Sequence, residues 1–320
     1  MMDAVSVGLP QERFRRDVNR LAFGMLILLA AWIVSLRVLA FLLRDVWSIH
    51  LNLLLNDVCF YLIAAPLYWL CLRSVPASPG PKARLRLYQW AVYFLIGAFL
   101  TYSSALATNL LMTAVSAVFR LPLTNRLESV LGDAPLWQIF LYTVVIAPFG
   151  EELLFRRCLC DRLRPYGEIT AALLSAIAFA AFHTNVYQFA YAFLLGLLMA
   201  HLYLKTGYWL YTVAIHAAIN FVFGFLSSAV QQTVGLDLLE QGMGSGLRQL
   251  ALASVTMTYL SLIVSLVGVG LALLIALRRK ISFGPSTLPV SRGEAVRLAW
   301  LTPGAILLTV AVVLITVFLW

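Results

Sequence analysis

The sequence predicts an all-α protein, a polytopic transmembrane helical bundle of about eight to nine membrane helices, and three observations carry that expectation. Of its 320 residues 62% are apolar and only 12% are charged, about half the charged share of an ordinary soluble chain. The mean hydropathy is +0.90. Apolar runs recur along the whole chain at lengths near the roughly 20 residues that cross a bilayer as helix, a form that satisfies every backbone polar group internally. A soluble enzyme, a disordered chain and a disulfide scaffold are thereby excluded. The net charge of +9 comes from basic residues in short loops between apolar runs, where they set orientation. The partner it implies is the lipid bilayer, with no nucleic acid. Cys59, Cys71, Cys158 and Cys160 lie in or beside apolar runs without metal-ligand spacing and read as structural.

Charge clusters and Pro or Gly bound nine spans. The first, 21–43, runs from Arg20 to Arg44, after a basic segment 1–20 that lacks a signal-type cleavage site and reads as retained. The second, 51–72, ends at Arg73, and a Pro- and Ser-rich linker from Ser74 to Gly80 follows. The third, 87–119, lies between Arg86 and Arg120, and the fourth, 136–163, opens after Pro135. Spans 169–184, 187–204 and 208–226 follow in quick succession, separated by Asn185 and by Lys205 with Gly207. A loop from Ser227 to Gly246 is expected before 249–277, and the last span, 298–319, begins after Arg297. The organisation is one membrane domain: a cytoplasmic segment 1–20, helices over 21–135, a core over 136–226, and a C-terminal loop and helices over 227–320.

When the connections are numbered alternately, eighteen of the 23 Arg and Lys fall on one side. They are Arg13, Arg15, Arg16 and Arg20; Arg73, Lys82, Arg84 and Arg86; Arg156, Arg157, Arg162 and Arg164; Lys205; and Arg278, Arg279, Lys280, Arg292 and Arg297. Arg44, Arg120, Arg126 and Arg248 fall on the other. Because cytoplasmic loops keep the positive residues, the N-terminus is expected in the cytoplasm of a cell inner or plasma membrane protein.

An ionisable side chain inside a bilayer costs about 2.5–3.5 kcal/mol on insertion scales, so each needs a partner or a task. The fourth span carries Glu151 and Glu152 side by side, with Arg156 at i,i+4 from Glu152, the spacing at which opposite charges meet. Helical neighbours point about 100° apart, so one carboxylate is left for another partner. The fifth span ends Phe179-x-x-x-His183, and the seventh carries His216-x-x-x-Asn220, both groups on one face. At 1.5 Å per residue, Glu151, His183 and His216 lie roughly 16, 21 and 16 Å from their basic boundaries, a common depth. Other polar residues read as structural. Arg37 and Asp57 suit a salt bridge, Asn52 and Asn56 helix contacts, His201 the interface, His50 a loop, and Gly242, Gly244 and Gly246 a flexible loop.

A carboxylate and an imidazole beside a water in a dry cavity can act as a general base. A second imidazole with an amide can stabilise an oxyanion. No Gly-x-Ser-x-Gly or paired cysteine supplies a nucleophile, so hydrolysis by water is the natural reaction. One Glu and two His (Glu151, His183 and His216) can equally hold zinc with an open fourth position, and composition does not separate these two.

Glu151-Glu152-x-x-x-Arg156, Phe179-x-x-x-His183 and His216-x-x-x-Asn220, in this order over about Trp137 to Phe225, resemble the CPBP intramembrane proteases. That family includes the CAAX prenyl endopeptidases and the bacterial Abi proteins. The resemblance implies an intramembrane endopeptidase acting on a membrane-anchored protein or peptide near an anchored or lipid-modified terminus. Glu151 and His183 would activate the water, His216 and Asn220 would serve the oxyanion, and Glu152 and Arg156 would support the site. It also implies glutamate-type catalysis with no cofactor, zinc remaining the alternative. Arg157 departs from the small residue, often Gly, that usually follows the motif Arg, which bears on the mouth of the cavity. The rival from another class is a non-enzymatic scaffold or a transporter using the same Glu and His residues for binding or proton transfer.

Overall fold

Each apolar run bounded by charge becomes a helix in the computed structural model, which describes residues 10–120, 123, 125, 134–240, 246–288 and 292–319. The helices are α1 (Pro10–Leu42), α2 (49–72), α3 (Leu87–Phe119), α4 (Leu136–Tyr166), α5 (Glu168–Phe182), α6 (Val186–Thr206), α7 (209–240), α8 (Gly246–Leu277), a short α9 (Arg292–Trp300) and α10 (303–319). No strand occurs among the described residues. Seven helices are long and apolar enough to cross a membrane, and two shorter apolar ones, Glu168–Phe182 and Pro303–Val317, complete the nine expected runs. The protein is a polytopic helical membrane protein.

Proline shapes the two helices nearest the site. In α2 the turns Cys59–Ala64 and in α4 the turns Phe140–Ile146 widen to π geometry, each just before a proline, Pro66 and Pro148. Proline has no N–H for the carbonyl four residues back and its ring crowds that carbonyl, so the preceding turn opens. Two further π stretches follow directly on Glu152 of α4 and Asn220 of α7: Leu153–Cys160, which contains Arg156, and Phe221–Phe225. Widened turns of this kind recur at functional sites.

Helix α5 lies along α6, α6 and α8 both pack on α3, and α1 packs on α2 and α10. Small residues set the closest approach: a Cβ on Gly196 of α6 would stand 3.1–3.2 Å from Phe179 and Ala176 of α5. The main core joins Leu28, Tyr68, Leu72, Phe155, Phe179 and Tyr203 from five helices. At the basic end, Glu168 is a tie point. It binds Arg164 and Lys205 at 3.0 Å each and accepts from the backbone N–H of Gly284, which anchors the chain after α8.

Several expectations change. Residues 227–240, expected as linker, continue α7. The stretch has no proline, and its one glycine costs only about 1 kcal/mol in a helix rich in Leu, Val and Gln. Helix α1 begins at Pro10, inside the expected 1–20 segment, because Phe14 packs edge-on against Tyr166 at 4.8 Å and Asp17 accepts from the Tyr166 hydroxyl at 2.6 Å. His50 is helical, not loop, and its Nδ1 pairs with Gln138 Oε1 at 2.9 Å. The Arg37–Asp57 salt bridge does not form: Arg37 is exposed, and Asp57 Oδ2 is buried without a hydrogen-bond partner. Asn56 does join helices, accepting from Trp32 Nε1 at 3.1 Å. Arg156, counted above among loop cations, is fully buried. Arg126, Gly242 and Gly244 lie outside the described residues.

Candidate active site

Helix α4 brings both carboxylates into the bundle, with Pro148 and Gly150 just before them. Gly150 is needed there: a Cβ at this position would run into the Tyr61 ring of α2, whose hydroxyl donates to the Ile146 carbonyl at 3.2 Å. That contact fixes α4 against α2 within one turn of Glu151.

Glu152 is completely buried and Glu151 is 22% exposed. Arg156 Nε stands 3.0 Å from Glu152 Oε2, an ion pair outside hydrogen-bond alignment, since neither atom has a hydrogen-bond partner. Its other nitrogens do donate, to Glu152 Oε1 and to Ser175 Oγ, both at 3.3 Å. Ser175 in turn donates to the Phe155 carbonyl at 2.8 Å. A buried ion pair gains only where further hydrogen bonds complete it, and Ser175 is the group that does so from α5.

From α7, His216 bridges the two carboxylates. Its Nδ1 lies 3.0 Å from Glu152 Oε1, and its Nε2 lies 3.9 Å from Glu151 Oε2. One turn on, Asn220 Nδ2 donates to the Thr143 carbonyl of α4 at 2.8 Å. That leaves one amide hydrogen and the amide oxygen of Asn220 for another partner.

His183 ends α5, with Nδ1 2.8 Å from the Phe179 carbonyl. A carbonyl only accepts, so Nδ1 carries the hydrogen and neutral His183 presents a lone pair at Nε2. Phe179 is the hub. Its ring meets His183 at 4.9 Å and His216 at 5.9 Å, both edge-on, with the Arg156 guanidinium over its face at 4.7 Å. The next residue, Thr184, is buried with φ of +48°. For a β-branched residue that left-handed conformation is strained, and such strain clusters at working sites.

The structure thus gathers Glu151, Glu152, Arg156 and His216 in direct contact, links His183 to them through Phe179, and ties Asn220 back to α4. Arg157 is exposed. Among the described residues no group of three His, Cys, Asp or Glu side chains is placed to hold a metal ion.

Residues 133–222 match the family model described as type II CAAX prenyl endopeptidase Rce1-like. This region is similar to the CPBP-family core. It contains all six motif residues and comprises less than a third of the chain. Comparison with curated proteins and with solved structures gave no match.

Around this core stand polar residues that sequence reasoning did not connect to it. Asp57 and Tyr61 of α2 and Tyr191 of α6 all lie within electrostatic reach of Glu151. Thr212 of α7 lies against Glu152. Only Asp57 carried a signal, as a lone carboxylate in an apolar span. The tyrosines and Thr212 look in sequence like any amphipathic packing residue.

Proposed function

We propose that this protein is an intramembrane endopeptidase of the glutamate type, hydrolysing a peptide bond near a membrane-anchored or lipid-modified terminus. One observation carries the reading: Glu152 is consumed by Arg156 and His216, while the adjacent Glu151 keeps partial exposure and faces His216 Nε2. The division suits one carboxylate that works and one that holds the frame.

Glu151, with the Nε2 lone pair of His183, takes a proton from water, and the water oxygen attacks the scissile carbonyl carbon. The resulting oxyanion receives hydrogen bonds from His216 and Asn220. When the intermediate collapses the C–N bond breaks, and the proton held on the base passes to the leaving amine. For His216 to donate at Nε2 while Nδ1 donates to Glu152, it must carry both ring hydrogens. The charges of Glu151, Glu152, Arg156 and the imidazolium then cancel, an arrangement suited to a low-dielectric site. Glu152 and Arg156 act as positioning residues through His216.

No metal takes part in this scheme, and 1,10-phenanthroline is expected to leave the cleavage rate unchanged. A chelator-sensitive activity restored by zinc would overturn it. The basic end of the bundle faces the cytoplasm of an inner or plasma membrane, and the substrate reaches the site from the bilayer.

The test compares wild type with Glu151→Ala, His183→Ala, His216→Ala and Asn220→Ala at matched membrane expression, profiling membrane and surface proteins for uncleaved termini. All four variants should accumulate the same uncleaved protein. Loss of the base is expected to slow cleavage about 10²–10⁴-fold and loss of Asn220 about 10²–10³-fold. Normal expression with every terminus unchanged would mean that the residues serve binding or scaffolding.

A further inference from the structure

Away from the glutamates and histidines of the candidate site, at the basic end of the bundle, the start of α3, the end of α6 and the chain after α8 enclose a crevice of about 240 Å³. Three cations line it, Arg84, Lys205 and Lys280, one from each segment, together with Tyr93, His201 and Ser282. No carboxylate is among the lining residues. Lys205 is paired with Glu168, but that carboxylate is already shared with Arg164. Arg84 and Lys280 are exposed and make no ion pair among the described residues. Glu168 is thus shared by Arg164 and Lys205 while Arg84 and Lys280 stand unpaired beside them, an excess of positive charge that favours an incoming anion.

The walls are held in place. Ala83 N–H donates to the Thr206 carbonyl at 2.9 Å, and Lys82 binds the Gly207 carbonyl beside it. Tyr93 hydroxyl and His201 Nδ1 stand 3.0 Å apart across α3 and α6. His201 Nε2 is buried near the Ser282 backbone without a hydrogen bond of normal geometry. The crevice thus offers a floor of hydrogen-bonding groups beside three cationic side chains.

Its size selects the ligand. At about 240 Å³ it falls below the roughly 300–1,000 Å³ of sites that enclose drug-sized ligands. A phosphate group with its ester stub fits, and a whole lipid does not. Exposed apolar side chains lie within a few residues of the lining in sequence. Leu87 is 87% exposed on α3, and Ile275 and Ile281 are exposed on and after α8. Acyl chains can lie there while the phosphate sits within. Basic pockets between membrane helices bind anionic headgroups in this way. We propose that this crevice is a binding site for a phosphate monoester or diester, supplied by the headgroup of an anionic phospholipid. The site does not depend on the proposed peptidase activity.

The test uses the full chain purified in dodecyl maltoside and titrated by thermophoresis with dihexanoyl-phosphatidylglycerol, dihexanoyl-phosphatidylcholine and inorganic phosphate. Phosphatidylglycerol should bind at least tenfold tighter than phosphatidylcholine, and the double variant Arg84→Gln/Lys280→Gln should weaken it at least tenfold. The control pair Arg73→Gln/Arg279→Gln, basic residues of the same end outside the crevice, should change it less than twofold. Lys280→Gln alone should give a partial loss, which keeps the test readable if the double variant expresses poorly. Inorganic phosphate binding as tightly as the lipid, with the same variant dependence, would upset the lipid assignment and make free phosphate the source. Equal loss in crevice and control variants, equal binding of phosphatidylcholine, or no binding of any probe would overturn the site.

Discussion

Adjacent in the chain, Glu151 and Glu152 end in different surroundings because helical neighbours point about 100° apart. Glu152 meets Arg156 one turn on and His216 from α7, whereas Glu151 turns toward the partly open side. Removing one member of a buried pair leaves an uncompensated charge and costs about 3–5 kcal/mol, while replacing both with neutral groups of similar volume is often neutral. Arg156→Ala is therefore expected to lower the thermal midpoint of the purified protein sharply. Glu152→Gln/Arg156→Met should restore the midpoint without restoring cleavage, because His216 loses the carboxylate at Nδ1. A double variant that melts no higher than Arg156→Ala would count against this account. The Glu152–Arg156 contact was legible from i,i+4 spacing alone. Ser175 and Thr212 were not, since nothing in a local pattern says which serine or threonine faces a buried guanidinium or carboxylate.

At the scale of elements, α4 owes its position to what flanks the carboxylates. Pro148 opens the turn before them and Gly150 lets Tyr61 of α2 lie against the backbone. Overpacking of this kind costs about 1–3 kcal/mol. Gly150→Ala should reduce both the thermal midpoint and cleavage, and Tyr61→Ala in the same chain should recover most of the midpoint. If Tyr61→Ala gives no recovery, the glycine is required for another reason. The proline was readable as a breaker. The glycine's purpose was not, because it depends on which ring of another helix lies opposite. Likewise the left-handed Thr184 after His183 has no sequence signature, since threonine ordinarily avoids that region.

For the molecule as a whole, Glu168 gathers Arg164, Lys205 and the Gly284 backbone, closing the basic end where α4, α5, α6 and the chain after α8 meet. If all nine apolar helices cross in alternating order, residues 84 and 242 are expected on opposite faces of the membrane. Arg84→Cys and Gly242→Cys, introduced singly, should react with an impermeant maleimide from opposite sides of intact and inverted vesicles. Labelling of both from one side would break the alternation and move every later loop. Burial of Arg156 removes one cation from the loop count, leaving seventeen expected on one side against four on the other.

Hydropathy, basic boundaries and i,i+4 spacing are properties of short stretches, so the membrane class, the nine apolar runs and the three motifs could be read from the chain alone. The turn of each helix about its own axis is set by packing with distant neighbours. Only the folded bundle could therefore decide that His216 bridges both glutamates, that Phe179 joins the two imidazoles, that Asp57 is buried without an Arg37 partner, and that residues 227–240 continue α7.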